Sequence, residues 1–217
     1  MRPVPTLDAL LNAFVTLFVT ADPIGNAPLF LGLTAGLGAA ERRGIAVRGS
    51  VIAFAILSLF ALTGMAVLDA MGITIDAFRV AGGLLLFFTA FEMIYGGRQE
   101  RREQTSDAAA DERIADIAVF PLAIPLVAGP GTISATILLS SELSAPAEVG
   151  EWTARAALIG VIALLMALTA LVLVAAERLD KYLGRTGKLV LTRLLGVLLA
   201  ALSVQYVADG ARGLVGG

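Results

Sequence analysis

The sequence predicts an all-α membrane protein with six transmembrane helices, arranged as two inverted three-helix repeats in which the first and fourth helices are interrupted. Three observations predict this. The 217-residue chain is 58% hydrophobic and only 16% charged, with a mean hydropathy of +0.86. A soluble domain carries roughly a quarter charged residues, so this chain has too little polar surface to coat a water-facing globule. Six apolar windows each approach the ~20 residues needed to cross a hydrocarbon core in which every backbone group must be bonded internally. Clusters of proline and glycine fall late in the first and fourth of these windows.

The windows cover residues 7–32, 45–68, 77–95, 117–140, 154–176 and 190–209. The N-terminus, MRPVPTLDAL, lacks a short apolar core ending in a small-residue cleavage site, and the apolar stretch that follows is too long for a signal peptide. The first window is therefore expected to stay in the protein as a span. The third and sixth windows each open near an arginine, Arg79 and Arg193, read as interface anchors. Glu92 and Gln205 lie towards the ends of the same windows, where long side chains reach the headgroups. The longest polar break, Gly96 to Asp116, parts three windows from three and has mixed charge. It reads as a solvated linker without chemistry. The expected organisation is a first three-helix repeat over 1–95, a cytoplasmic linker over 96–116 and a second repeat over 117–217.

Lys and Arg are retained preferentially on the cytoplasmic side of a membrane. Four of them (Arg2, Arg79, Arg155, Arg212) fall on one side of this arrangement and the other twelve on the opposite side. Both termini are thus expected outside the cytoplasm. With three spans per half, related halves must have opposite orientations. FRVAGGLLLFFTAFEMIYG and TRLLGVLLAALSVQYVADG, which begin at Phe78 and Thr192, align Arg79 with Arg193, Gly82 with Gly196, Thr89 with Ser203 and Gly96 with Gly210. The breaks in spans one and four pair Pro23 with Pro130. Interrupted helices at matching positions of inverted repeats point to a secondary transporter with a midplane site.

The chain has no cysteine and no histidine. Disulfide scaffolds, thiolate nucleophiles, Cys/His zinc sites and histidine bases are therefore excluded. Six percent aromatic residues and a net charge of −2 leave no nucleic-acid footprint. No nucleophile–base pair or pair of carboxylates lies within the windows, so an enzyme is not expected.

The first break reads DPIGNAP, with Asp22, Pro23, Gly25, Asn26 and Pro28. Proline lacks the backbone donor and pushes the preceding residue out of the α region, so the helix is expected to unwind from Asp22 to Asn26. Counted from Leu7 at ~1.5 Å per residue, Asp22 lies about 22 Å into the span. A carboxylate there is costly unless it faces a cavity or a partner. It can equally serve as the cap of the following half-helix. The second break reads AGPGTIS, with Gly129, Pro130, Gly131 and Thr132, and lies at comparable depth from the other face. Thr132 and Ser134 are expected to satisfy freed backbone groups as the helix restarts. Half-helix N-termini could hold a carboxylate and C-termini an ammonium group or cation, which together suit a zwitterion.

The DPxGN motif in the first span and the PLAxPxxAGPGTI motif in the fourth, Pro121 to Ile133, resemble the MarC family of bacterial inner-membrane proteins, and the resemblance spans essentially the whole chain. It implies membrane transport, for some members of small neutral amino acids such as glycine and alanine, and a relation to LysE-type exporters. The reading is thus a secondary transporter of small neutral solutes, neutral amino acids foremost. Its substrate-binding residues are Asp22, Pro23, Gly25, Asn26, Gly129, Pro130, Gly131 and Thr132. No resident cofactor is expected, only a coupling proton or sodium ion. The expected partners are the lipid bilayer and the solute, with a homo-oligomer left open. Two other readings stand beside it: an ion permease of the LysE type, and a structural or assembly protein of the membrane.

Overall fold

A computed structural model describes residues 5–95, 117–144 and 150–216. The expected linker, 96–116, lies outside the described residues. Those described form eight helices: α1 (Leu7–Ala21), α2 (Pro23–Leu33), α3 (Ala39–Ala70), α4 (Ile75–Tyr95), α5 (Ala118–Val127), α6 (Pro130–Ser144), α7 (Glu151–Val174) and α8 (Ala176–Gly216). Leu7–Leu33, α3, α4, α7 and Leu189–Gly216 are each long and apolar enough to cross a membrane, and α5 with α6 qualifies as a pair bent by 59°.

Local chemistry fixes where the helices start and stop. Thr6 Oγ1 accepts the Ala9 N–H at the head of α1 (3.3 Å), and Thr74 Oγ1 accepts that of Ala77 at the head of α4 (3.2 Å). Such caps satisfy donors that a helix start leaves open. α3 stops where Gly72 adopts φ +68° and the Ile73 N–H turns back to the Leu68 carbonyl at 2.9 Å, a left-handed closure that glycine makes without a Cβ penalty.

The bundle carries its apolar residues outward. Val51 and Leu62 of α3, Phe87 and Phe91 of α4, Leu164 and Leu171 of α7, and Leu194 and Leu198 of α8 are all exposed, whereas Thr16, Asp22, Asn26, Thr132, Thr169 and Ser203 are buried. Buried hydroxyls return to their own helices: Thr136 donates to the Thr132 carbonyl and Thr169 to that of Leu165, each at 2.8 Å. These hydroxyls are thus satisfied within their own helices, as a hydrocarbon environment favours.

Small residues set the closest approaches. α4 and α8 run antiparallel in extensive contact. Gly83 lies against Val207 and the Ser203 carbonyl, Gly196 against Met93 and the Ala90 carbonyl, and Gly210 against Arg79 and the Asp76 carbonyl; a Cβ at any of the three would approach within 2.9 Å of the neighbour. Small residues that let backbones approach are the usual means of joining membrane helices. α3 runs parallel to α5 and α6, with Gly49 against Leu122, Gly64 against Ile137, and Ser140 Oγ donating to the Ala61 carbonyl at 2.9 Å. The bent pair thus packs on α3, α5 against its first half and α6 against its second.

Two chemically distinct ends result. At one, Arg42 of α3 forms an ion pair with Glu177 of α8, beside a cavity of about 60 Å³ also bordered by Phe30, Arg43 and Leu173. At the other lie Asp76, Arg79 and the C-terminal part of α8.

The breaks differ from expectation in two respects. The first is not an unwound stretch from Asp22 to Asn26: Asp22 alone leaves the helix, at φ 48° and ψ 61°, and α2 resumes at Pro23. Proline at the first helical position forgoes only an N–H that has no partner there, so Gly25 and Asn26 are already helical. The second begins earlier than Gly129. Phe120 and Ile124 are extended at φ −130° and −125°, each preceding a proline, and α5 has widened turns, with the Ala128 N–H reaching the Ala123 carbonyl at 2.9 Å. α6 starts at Pro130, so Gly129 holds the cap position while Thr132 and Ser134 lie inside the helix. They do not cap it.

The two helix breaks as a candidate functional site

Pro130 and Asp22 together create the site by withholding backbone bonds. In a continuous helix the carbonyl of residue 126 would accept the N–H of residue 130, but Pro130 has none. The Gly25 N–H would ordinarily serve the Ala21 carbonyl, yet it donates to Asp22 Oδ1 at 3.0 Å. Both carbonyls are taken by one side chain: Asn26 Nδ2 donates to Ala21 O at 2.8 Å and, across the bundle, to Leu126 O at 3.3 Å. Asn26 is 0% exposed, and its Oδ1 is buried with no hydrogen-bond partner among the described residues. A buried acceptor left in this state costs about 1–3 kcal/mol, so Oδ1 is the atom in this region that most needs a donor.

Asp22 joins the two half-helices. Its N–H closes α1 on the Phe18 carbonyl at 2.9 Å, its own carbonyl accepts the Asn26 N–H at 3.0 Å, and its carboxylate caps α2. The negative charge suits the positive end of α2. Gly25 is required by this arrangement, since a Cβ there would fall 2.1 Å from Asp22 Oδ2. Pro23 is buried at the first position of α2.

On the other side, Gly129 and Gly131 are buried, Pro130 is exposed and Thr132 is 2% exposed. A Cβ on Gly129 would meet the Pro125 carbonyl at 2.6 Å, and one on Gly131 would meet Thr89 Oγ1 at 3.1 Å. The Ile133 N–H bonds to the Gly129 carbonyl at 2.9 Å. The N–H groups of Gly131 and Thr132 precede the first residue that can find an intrahelical acceptor, so they form a donor pair at a positive helix end.

The structure thus joins the two motifs through Asn26 and the Leu126 carbonyl. Leu126 and Ala21 were not among the sequence-derived site residues. The signal for the first was present, because the residue four before a proline in a helix loses its donor. Asp22, Asn26 and Thr132 are all nearly inaccessible.

Such an arrangement defines a class: a multi-pass integral membrane protein with two broken helices meeting inside it. Comparison with known proteins is more specific, for the model of MarC family integral membrane proteins matches residues 7–215. The chain belongs to the MarC family. It is 37% identical over 207 residues to UPF0056 membrane protein MJ1677 of Methanocaldococcus jannaschii, covering 95% of this chain and 98% of that one. It is 36% identical to UPF0056 membrane protein YvbG of Bacillus subtilis, covering 94% and 95%, and 36% identical to a UPF0056 membrane protein of Archaeoglobus fulgidus, covering 91% and 90%. These relatives span bacteria and archaea, and their names state no activity. No solved structure matches the chain.

Proposed function

We propose that the protein is a secondary transporter of small neutral solutes, neutral amino acids such as glycine and alanine foremost, translocating them without chemical change across the bacterial inner membrane. The observation that carries this reading is the unpartnered Asn26 Oδ1 between two helix breaks. An ammonium group would donate to it, with the Asp22 charge nearby. The substrate carboxylate would take the Gly131 and Thr132 N–H groups at the head of α6. Both ends of a zwitterion are then met.

The packing supports inverted repeats. Pairing α1 with α5, α2 with α6, α3 with α7 and α4 with α8 matches contacts across the halves: α3 touches α5 as α7 touches α1, α3 touches α6 as α7 touches α2, and α4 touches α6 as α8 touches α2. Six spans follow when α5 and α6 count as one crossing. The arginine-rich end then faces the cytoplasm and both termini lie outside. Rocking of one repeat against the other would open the occluded site to each side in turn.

Ligand binding to the folded state raises apparent stability by RT ln(1 + [L]/Kd). Thermal unfolding of the detergent-solubilised protein should therefore shift upward with increasing glycine or alanine, and the shift should disappear in Asn26→Leu. A midpoint indifferent to every neutral amino acid at saturating concentration would contradict the substrate class.

A further inference from the structure

Away from the breaks, an apolar groove of about 300 Å³ runs between α3 and α7 on the outside of the bundle. Val47, Val51 and Phe54 form one wall and Ala163, Ala167 and Ala170 the other. The residues of each wall recur every three or four positions, so each set lies on one helix face. Val47, Val51, Ala163 and Ala167 are exposed, which leaves the groove open along the bundle's apolar exterior. Ser50 also borders it, and its buried Oγ makes no hydrogen bond among the described residues, unlike the hydroxyls of Thr136 and Thr169. Positive charge stands at one end. Arg43 lies one turn before Val47, and Val174 one turn beyond Ala170; both border the small cavity at the arginine-rich end. Cavity and groove are therefore successive parts of one α3–α7 seam. Arg48, the single charged residue of the window 45–68, flanks the seam one turn before Val51. Arg43 and Arg48 are exposed and form no ion pair among the described residues, whereas Arg42 is held by Glu177. Helical side chains lean towards the N-terminus, so both guanidinium groups of α3 lean towards the arginine-rich end. Arg48 starts about 3 Å nearer that end than Ser50. A cation within an apolar span is costly unless an anion or interfacial water meets it.

We propose that this seam binds one anionic phospholipid. The lipid phosphate lies between Arg43 and Arg48, and one acyl chain lies along the groove. A χ1 rotation lets the Ser50 hydroxyl donate to an ester carbonyl between them. An acyl tail alone would leave the two arginines and Ser50 without partners, and a free phosphate would leave the groove unfilled. A zwitterionic lipid carries its own cation, which competes with the arginines for the phosphate. Guanidinium groups bind phosphate through strong, charge-assisted hydrogen bonds, and basic pockets between membrane helices are a known form of anionic-headgroup site. The seam is separate from the helix breaks, so lipid binding does not rest on the transport reading.

Native mass spectrometry of delipidated protein in detergent, titrated with dioleoyl phosphatidylglycerol or dioleoyl phosphatidylcholine, tests it. The wild type should take up one phosphatidylglycerol in preference to phosphatidylcholine. The preference should vanish in R43Q/R48Q. In A167F, which fills the groove and keeps both arginines, phosphatidylglycerol affinity should fall about fivefold or more. Equal binding of the two lipids by the wild type would overturn the proposal. So would undiminished phosphatidylglycerol binding in A167F, since the arginines would then attract the headgroup without the groove. A lipid-independent dimer that A167F disrupts would overturn it too, by giving the groove to a second copy of the chain. Should A167F fail to fold, A163F fills the same groove and decides.

Discussion

Asn26 takes both carbonyls that the two breaks release, one from Ala21 and one from Leu126. Replacing it with leucine leaves each buried without a donor, and Asn26→Leu should destabilise the protein by about 2–4 kcal/mol, given ~1–3 per buried orphan. Thermal unfolding in detergent reads the loss. Asp22 separates two roles that the sequence could not. Asp22→Ala removes the α2 cap and should cost about 1 kcal/mol, whereas Asp22→Asn keeps both the cap and the left-handed backbone and should unfold near the wild-type temperature. The motif residues themselves were legible, since Asp22-Pro23 and Gly129-Pro130 announce breaks and Asp22 is a natural cap. The bond between Asn26 and Leu126 was not, because partners a hundred residues apart are chosen by packing.

At the scale of the element, the six apolar windows correspond to the helices, with differences confined mainly to their ends. Hydropathy read their positions because lipid-facing composition dominates a window average. The same averaging hid the irregular course of α5, although Phe120 and Ile124, each before a proline, carried a signal for extended backbone. Gly83 of span three and Gly196 of span six set the antiparallel contact of α4 with α8, while Gly82 faces Leu138 of α6. Gly83→Leu and Gly196→Leu should force these helices apart and sharply reduce the yield of monodisperse protein. Gly160→Leu is the control, as a Cβ there meets nothing within 4 Å. Equal losses in all three variants would mean that side-chain size anywhere in the membrane, and not the α4–α8 contact, limits assembly.

Across the whole molecule, basic residues lie at opposite ends in unequal numbers, and this asymmetry was readable from loop composition alone. The described geometry keeps Arg42 and Arg43 beside Glu177 at one end and Arg79 near Gly210 at the other. Because the chain lacks cysteine, single replacements report sidedness directly. A membrane-impermeant thiol reagent added to intact cells should label Arg212→Cys and spare Arg43→Cys. The reverse pattern would invert the proposed orientation. How the halves interlock was only partly legible: weak similarity between spans three and six suggested a repeat, but the matched contacts between the halves emerge only in the packed molecule.

The most direct test of a neutral solute site at the breaks is uptake of labelled alanine and glycine into proteoliposomes, comparing wild type with Asp22→Asn. The substitution keeps the cap while removing the charge, and a hydrogen bond to a charged group contributes about 1 kcal/mol more than a neutral one. The account predicts saturable uptake by the wild type and a loss of roughly fivefold or more in the variant at subsaturating solute. Absence of uptake by well-folded wild-type protein, with or without a proton or sodium gradient, would contradict it.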